Sequence, residues 1–542
     1  MVSHYYDVDT IVSLNTMNRI LNIIEIISVI IILTVSLYSF DKNIPDYLIM
    51  SKWFYTILIG LICLILLPIM RFLLLKHKVE INNISTCFIP YLFMSVNLIV
   101  ALYCILQLLK ILPTTSSFFL ATANFDNPAG ISTSLSVTFP FFYYLKHRCK
   151  YSDTIILFVF LLNFAIFSIL QTRTGILSII TIYFIMLLKE RKILFNNKLF
   201  ALLIVLIITV VLIYIMTHKT VSNRGRVLIL SVCLQMFKEK PLFGFGLKGF
   251  QQNYMLYQAE YLKDLSEPYT MLADNVSHPL NEFVRLGVNF GVIGIVVLAV
   301  LYLLVIIYYL RYKNFISFIG LLVLLSLSIN SIFSYPFKYP IATLALIYAI
   351  YIIFKKDIKR FLNNSLFLLS VSICSLIVFT IYYPWFNSQK EWGKILYEDT
   401  GSTVIEKYEE LSHVLGNNPA FLYNYSFVLF NNNLYEKAYE KASYSMDKWA
   451  NYDTALLLGD ICLKNLDYGK AEEYYELASM MCPVKFVPLY GLFCLYLEQS
   501  DLEKMKVIGD EILTKKIKIR SSTIRQIKND VKIIMIEYGL FK

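Results

Sequence analysis

The chain has 542 residues, 57% of them hydrophobic and only 16% charged, with a mean hydropathy of +0.61. A water-soluble globular protein does not carry that balance, so most of the length belongs in a bilayer. The net charge of +11 sits largely in short basic loops between apolar runs, where it sets orientation, and it does not indicate nucleic acid.

A crossing of a ~30 Å hydrocarbon core takes roughly 20 apolar residues, and about eleven runs approach that length. They fall near 17–39, 50–70, 86–112, 131–146, 152–170, 175–189, 198–217, 281–310, 315–334, 338–354 and 366–386, with 131–146 and 175–189 the shortest. No small-residue cleavage site follows the first run, which reads as a retained span. Charge becomes dense after about residue 387, as in the stretch from Glu406 to Glu410. The expected organisation is a polytopic helical membrane domain over 1–387, including a polar loop at 218–280, and a soluble helical domain over 388–542. The fold class is all-α.

The connections alternate in charge. Arg71–Lys78, Lys146–Arg148, Lys189–Lys192, Arg311–Lys313 and Lys355–Arg360 are basic and lie on every second connection, which places them in the cytoplasm with the N-terminus. Connections 40–50, 113–130, 171–174, 218–280 and 335–338 then lie outside, together with the C-terminal domain. Nine cysteines are scattered without a CxxC or a Cys/His pair at metal-ligand spacing, so no structural zinc site is expected.

Several polar residues fall on the expected outer side. Arg173, at the end of a run in Gln171–Gly175, either snorkels to headgroups or holds a phosphate with its planar fork of donors. Arg224 and Arg226 open the large loop ahead of a helix-like stretch from Val227 to Lys240. Two arginines oppose the dipole at a helix start, which suits either a ligand or a solvated pair. Gly244, Gly246 and Gly249 form a GxGxxG string, but no strand or βαβ unit surrounds it, so it reads as a tight turn and not a dinucleotide site. His278 precedes the next span, and a neutral imidazole just above a bilayer can take a proton from a hydroxyl. Glu282, at the mouth of that span, is a second candidate base, costly there unless paired with an arginine.

In the tail, residues 452–485 carry Gly459, Asp467, Tyr468, Ala471, Tyr475, Ala478 and Pro483 in the order of a tetratricopeptide (TPR) repeat. Units near 419–451 (Ser426, Tyr435, Ala438) and 486–519 (Tyr496, Asp501) repeat it more weakly. Three units are about the minimum for a solenoid.

On these residues the chain resembles the O-antigen ligase, polymerase and protein O-oligosaccharyltransferase superfamily, some members of which also carry a TPR-like tail. The resemblance rests on span-end Arg173, Gly225–Arg226 before a helix, Lys240–Gly246 against a PLFGxG signature, and His278–Phe283 with Gly287 to Gly294 against an HPHNEF…GxxG signature. It implies a GT-C-type glycosyltransferase in the bacterial inner membrane, moving a glycan from an undecaprenyl-pyrophosphate donor to a hydroxyl of lipid A-core or a similar acceptor. The implied chemistry is inverting, occurs at the periplasmic face and needs neither metal nor cofactor. Arg173 and Arg226, with Arg224 beside them, would hold the pyrophosphate, and His278 would activate the acceptor. Where the family pattern often has a histidine before Asn281 this chain has Leu280, so His278 or Glu282 must serve as base. A glycan acceptor (polymerase) or a protein acceptor is the alternative, with the TPR tail open to a protein partner. A non-catalytic scaffold or transporter is the alternative of another class, disfavoured by the few charges inside the runs, Glu25 being the exception.

Overall fold

With no water to satisfy peptide groups in the bilayer core, apolar runs such as these must close their hydrogen bonds internally as helices. A computed structural model describes residues 8–38, 41–76, 85–190, 220–263, 267–396, 398 and 401–540, and the regular structure of these residues is entirely helical. The chain is a multi-pass membrane protein with a helical-repeat tail. It divides into two compact units, one of 1–217 with 300–393 and the other of 218–299 with 394–542.

The first unit contains α1 (Val8–Tyr38), α2 (Met50–Lys76), α3 (Ser85–Leu108), α4 (Pro128–Thr138), α5 (Ser152–Ile169) and α6 (Arg173–Glu190). The second begins with α7 (Thr220–Glu239) and α8 (Gly249–Leu262), and α9 (Glu282–Tyr312) leads from it back into the first. There α10 (Phe315–Phe333), α11 (Pro340–Ile353), α12 (Lys355–Leu362) and α13 (Ser365–Ile395) complete the bundle.

Seven described helices are long and apolar enough to cross a membrane, namely α1, α2, α3, α5, α9, α10 and α13. The other four expected runs differ. Run 131–146 is the short α4 followed by a 3₁₀ segment, Phe139–His147, because Pro140 cannot continue an α-helix. Run 338–354 contains only the 14-residue α11, entered through the 3₁₀ turn Pro336–Lys338. Run 175–189 is α6, which carries charges at both ends, and run 198–217 lies outside the described residues. Short helices are tolerated at this depth where protein rather than lipid surrounds them.

Helix α4 shows why. Every residue from Gly130 to Thr138 is buried, and five of them carry hydroxyls. Asn97 of α3 donates to Leu135 O at 2.8 Å and Thr138 Oγ1 at 2.9 Å. From α10, Asn330 reaches Ser136 Oγ at 2.9 Å and Ser326 reaches Ser136 O at 2.8 Å. Small hydroxyl residues let helices approach closely, and such bonds contribute about 0.6 kcal/mol each in a membrane. Glu25, the expected lone internal charge, pairs with Arg71 at 2.6 Å.

The polar connections of this unit collect at two ends. At one, buried Lys52 donates to Asn124 O, Asp126 pairs with Lys338 at 2.7 Å, and Trp53 Nε1 donates to Lys338 O at 2.9 Å. This joins the first turn of α2 to connections 113–130 and 335–338, two that the charge alternation assigns to one side. At the other, Lys146 pairs with Asp153, Tyr143 donates to Glu190, and His147 packs on Phe315.

In the second unit the tail comprises α14 (Ser402–Leu415), α15 (Pro419–Asn431), α16 (Tyr435–Lys448), α17 (Tyr452–Lys464), α18 (Tyr468–Met481), α19 (Val487–Glu498), α20 (Leu502–Thr514) and α21 (Ser522–Glu537). Pairs α15/α16, α17/α18 and α19/α20 coincide with the three expected repeats. The ring of fully buried Tyr475 lies where a Cβ on Gly459 or Gly491 would come within 2.6 Å of it, so glycine sets the spacing between neighbouring repeats. The expected boundary at 387/388 falls inside α13, which runs on to Ile395. Residues 218–280, grouped by sequence with the membrane domain, pack with the tail instead. The reason is a shared core. Leu228, Val232 and Met236 of α7, Phe250, Tyr254 and Met255 of α8, Ala273 and Val288 bury in one cluster with Tyr452, Ala455, Ala478 and Met481 of the tail.

Candidate functional site

The expected site residues belong to both units. In the first, Arg173 is the first residue of α6, following Gln171, which has a positive φ of 54°. Gly175 faces α4, where an added Cβ would lie 2.7 Å from Ser132 Oγ, so Arg173 sits at the end of the bundle where α4 begins.

In the second unit, Arg224 and Arg226 are not at a helix start, as the sequence suggested, because α7 begins at Thr220. Two positions apart on a helix, they point in different directions. Arg224 is exposed and Arg226 half-buried, on the side of Ile229 and Cys233, which face the core. Val276, Leu280 and Val284 pack against the same cluster as Leu228 and Ile229. The helix bearing Arg226 and the segment bearing His278 therefore share one apolar floor.

His278 lies half-buried in a non-helical segment, followed by buried Pro279 and by Leu280 at φ 56°, a left-handed conformation uncommon for leucine. Asn281 then caps α9: its Oδ1 accepts from the amides of Phe283 at 2.9 Å and Val284 at 3.0 Å. Glu282 is held in an ion pair with Arg285 at 2.7 Å, while its buried Oε1 has no hydrogen-bond partner among the described residues. Arg285 escaped the sequence reading, although an arginine three residues after a glutamate on a helix is a legible pair.

The glycine string has a structural role. Helix α9 is interrupted at Gly291, whose φ of 61° and ψ of −157° are accessible only to glycine. The interruption frees backbone groups, and the loop from Pro241 to Gly246 takes them up. The amides of Val292 and Ile293 donate to Pro241 O at 2.8 Å and Leu242 O at 3.3 Å. In return the amides of Phe245 and Gly246 donate to Val288 O at 3.0 Å and Asn289 O at 2.8 Å. A Cβ on Gly291 would lie 2.3 Å from Leu242 O, and one on Gly244 2.5 Å from Val288 O. Asn289 locks the joint, its Oδ1 accepting from Phe250 N at 3.0 Å and its Nδ2 donating to Leu247 O at 2.9 Å. The two glycine-bearing signatures are thus two halves of one joint that fixes the first turns of α9, just after His278. An asparagine inside an apolar run was the available signal for it.

Residues 157–299 match the O-antigen ligase family model. The matched stretch contains Arg173, Arg224, Arg226, the Pro241–Gly246 loop, His278, Glu282 and the Gly291 joint. No curated protein matches the chain in sequence. Among solved structures the chain is similar to the crystal structure of yeast Tom70, at 12% identity and a TM-score of 0.25, over 76% of this chain and 90% of that one. At that score the likeness carries no argument, and the repeat architecture rests on its own helix pairs. The family match supports a glycosyltransferase of the ligase or polymerase type acting on lipid-linked glycans.

Proposed function

We propose that the chain transfers a glycan from an undecaprenyl-pyrophosphate carrier to an acceptor hydroxyl on the periplasmic face of a bacterial inner membrane. The observation that carries this reading is the coincidence of the family match with the joint at Gly291, which fixes the start of α9 beside His278. In this reading His278 takes the proton of the acceptor hydroxyl as its oxygen attacks the anomeric carbon. The bond from that carbon to the diphosphate breaks from the opposite face, which inverts the configuration. The electron pair leaves with the lipid diphosphate, whose charge Arg226 meets, with Arg173 assigned the same task by family resemblance. Guanidinium groups supply the neutralisation that a leaving diphosphate needs, and no metal enters the proposed step. Anchoring the donor in lipid confines the encounter to a thin shell, which adds proximity. Glu282, tied to Arg285, serves to hold that arginine near the helix start and is the weaker candidate base.

The test is transfer by membranes containing the full chain, supplied with a lipid-pyrophosphate-linked glycan in EDTA. Arg226→Ala should slow transfer on the order of 10²-fold, the scale of losing one charge-stabilising donor, whereas exposed Arg224→Ala should stay within about threefold. Equal losses at both positions, or full activity in Arg226→Ala, would remove the assignment. The acceptor is read from cells lacking the gene. Loss of all long surface chains with donor accumulation indicates a ligase, a single-repeat product indicates a polymerase, and unmodified envelope proteins indicate protein glycosylation.

A further inference from the structure

We infer that the TPR-like tail is a positioning element for the segment that carries His278, acting through Gln258 and through the Asn275–Asp453 contact, and is not merely an arm for recruiting partners. The inference rests on the reading of His278 as the base.

Residues 271–281 form no helix, so their conformation has to be set by neighbours. One of those neighbours is Gln258 of α8, fully buried. Its Nε2 donates both to Asp274 O at 3.0 Å and to Met481 O at 2.8 Å, and its Oε1 accepts from the hydroxyl of Tyr254 at 3.0 Å. One amide thereby joins α8, the His278 segment and the tail. Met481 is the last residue of α18, where helix carbonyls lack intrahelical partners. Gln258 thus caps a tail helix with one proton and holds the loop with the other.

A buried amide is costly unless its donors and acceptor are all used. Leucine or methionine would fill a similar space at no such cost if packing were the only need. A fully satisfied polar network in a core specifies one geometry, and this one specifies where the loop meets the tail. Tyr254 contributes as a donor, since burial holds its phenol well above the ordinary range and so protonated.

A second contact is independent of the first. Asn275 Nδ2 donates to Asp453 Oδ2 at 3.0 Å, at the second residue of α17, where the helix N-terminus favours a carboxylate. Beside it the amide of Val276 points to Met255 Sδ at 3.4 Å, and Ala273 and Val276 pack on the core that includes Tyr452, Ala455 and Met481. Residues 273–276 are therefore fixed from α8 and from the tail, two residues before His278. A base must be held close to its productive geometry, and a 1 Å misplacement is worth on the order of 10²-fold in rate.

The experiment uses the full chain in membranes and reads two quantities, the transfer rate and amide hydrogen exchange over 271–283. Gln258→Leu should lower turnover about 10- to 100-fold with little change in KM for the donor, and should speed exchange in that segment. Asn275→Asp places two carboxylates together and should do the same more weakly. Adding Asp453→Asn restores the hydrogen bond with its polarity reversed, and both rate and protection should recover. These two positions are exposed, so this pair keeps the test intact if Gln258→Leu fails to fold. Faster exchange with unchanged turnover, slower turnover with unchanged exchange, or a double variant no better than Asn275→Asp would each overturn the inference. His278→Ala separates this inference from the reading beneath it: full transfer in that variant removes His278 as base, while exchange in the other variants still reports whether the tail holds the loop.

Discussion

The two compact units solve the problem of buried polar groups in different ways. In the bundle, buried amides and hydroxyls tie together helices that already have their form: Asn97 of α3 bonds to Leu135 and Thr138 of α4 and accepts from Asn163 of α5, and Ser326 and Asn330 of α10 reach Ser136. In the unit formed by the polar loop and the tail, single residues join several segments at once, as Gln258 does through three hydrogen bonds and Asn289 through two. A helix keeps its form when one such bond is lost, whereas a non-helical segment held by such nodes does not. The segment expected to do chemistry is built on nodes, as precise placement of reacting groups requires.

The largest effect is expected at the Gly291 joint. Gly291→Ala adds backbone strain of about 1–3 kcal/mol and pushes a Cβ to 2.3 Å from Leu242 O. It should abolish both transfer and the protease-resistant form of the protein. In the bundle, Gly60→Ala meets no atom within 4 Å and should leave both unchanged. Within the tail, Tyr475→Ala empties the wedge between Gly459 and Gly491 and should cost about 3–5 kcal/mol, visible as faster exchange throughout α17–α19. Asn97→Leu in the bundle should cost only about 0.6 kcal/mol per lost hydrogen bond, a small shift in thermal midpoint in detergent.

The smallest effect is a pH slope. Burial raises the carboxyl of Asp460 above its usual value, with the hydroxyl of Tyr475 at 2.7 Å opposing the shift. The folded state therefore keeps that proton to higher pH than the unfolded chain. Between the ordinary value of about 3.9 and the raised one, this group's contribution to stability falls as pH rises. Asp460→Asn should remove that slope, so the variant gains less than wild type on acidification, as measured by thermal midpoints of the full chain.

Much of this was legible in the sequence because lipid imposes simple rules. Helical runs and the TPR spacing of Gly459, Ala471 and Tyr475 follow from composition and period. The short elements were less legible: a hydropathy window cannot distinguish a buried α4 from a span, since both are apolar on average. The position of 218–280 was hidden too, because chain order gave no sign that α8 shares its core with α18, some 220 residues later. At the candidate site, the sequence offers Arg226, His278 and Glu282 as candidates but not the residues that support them. Gln258, Asn289 and Arg285 matter through contacts distant in sequence or through a helical register that had to be seen.

The most direct test of the account is the side of the membrane on which the reaction segment and its support lie. Exposed residues Arg224 and Leu466, each replaced singly by cysteine in a background with Cys87 and Cys374 changed to serine, would be treated with a membrane-impermeant maleimide in cells whose outer membrane alone is opened. The account predicts that both positions react without rupture of the inner membrane. Labelling of either only after rupture would place the chemistry or its brace in the cytoplasm and contradict it.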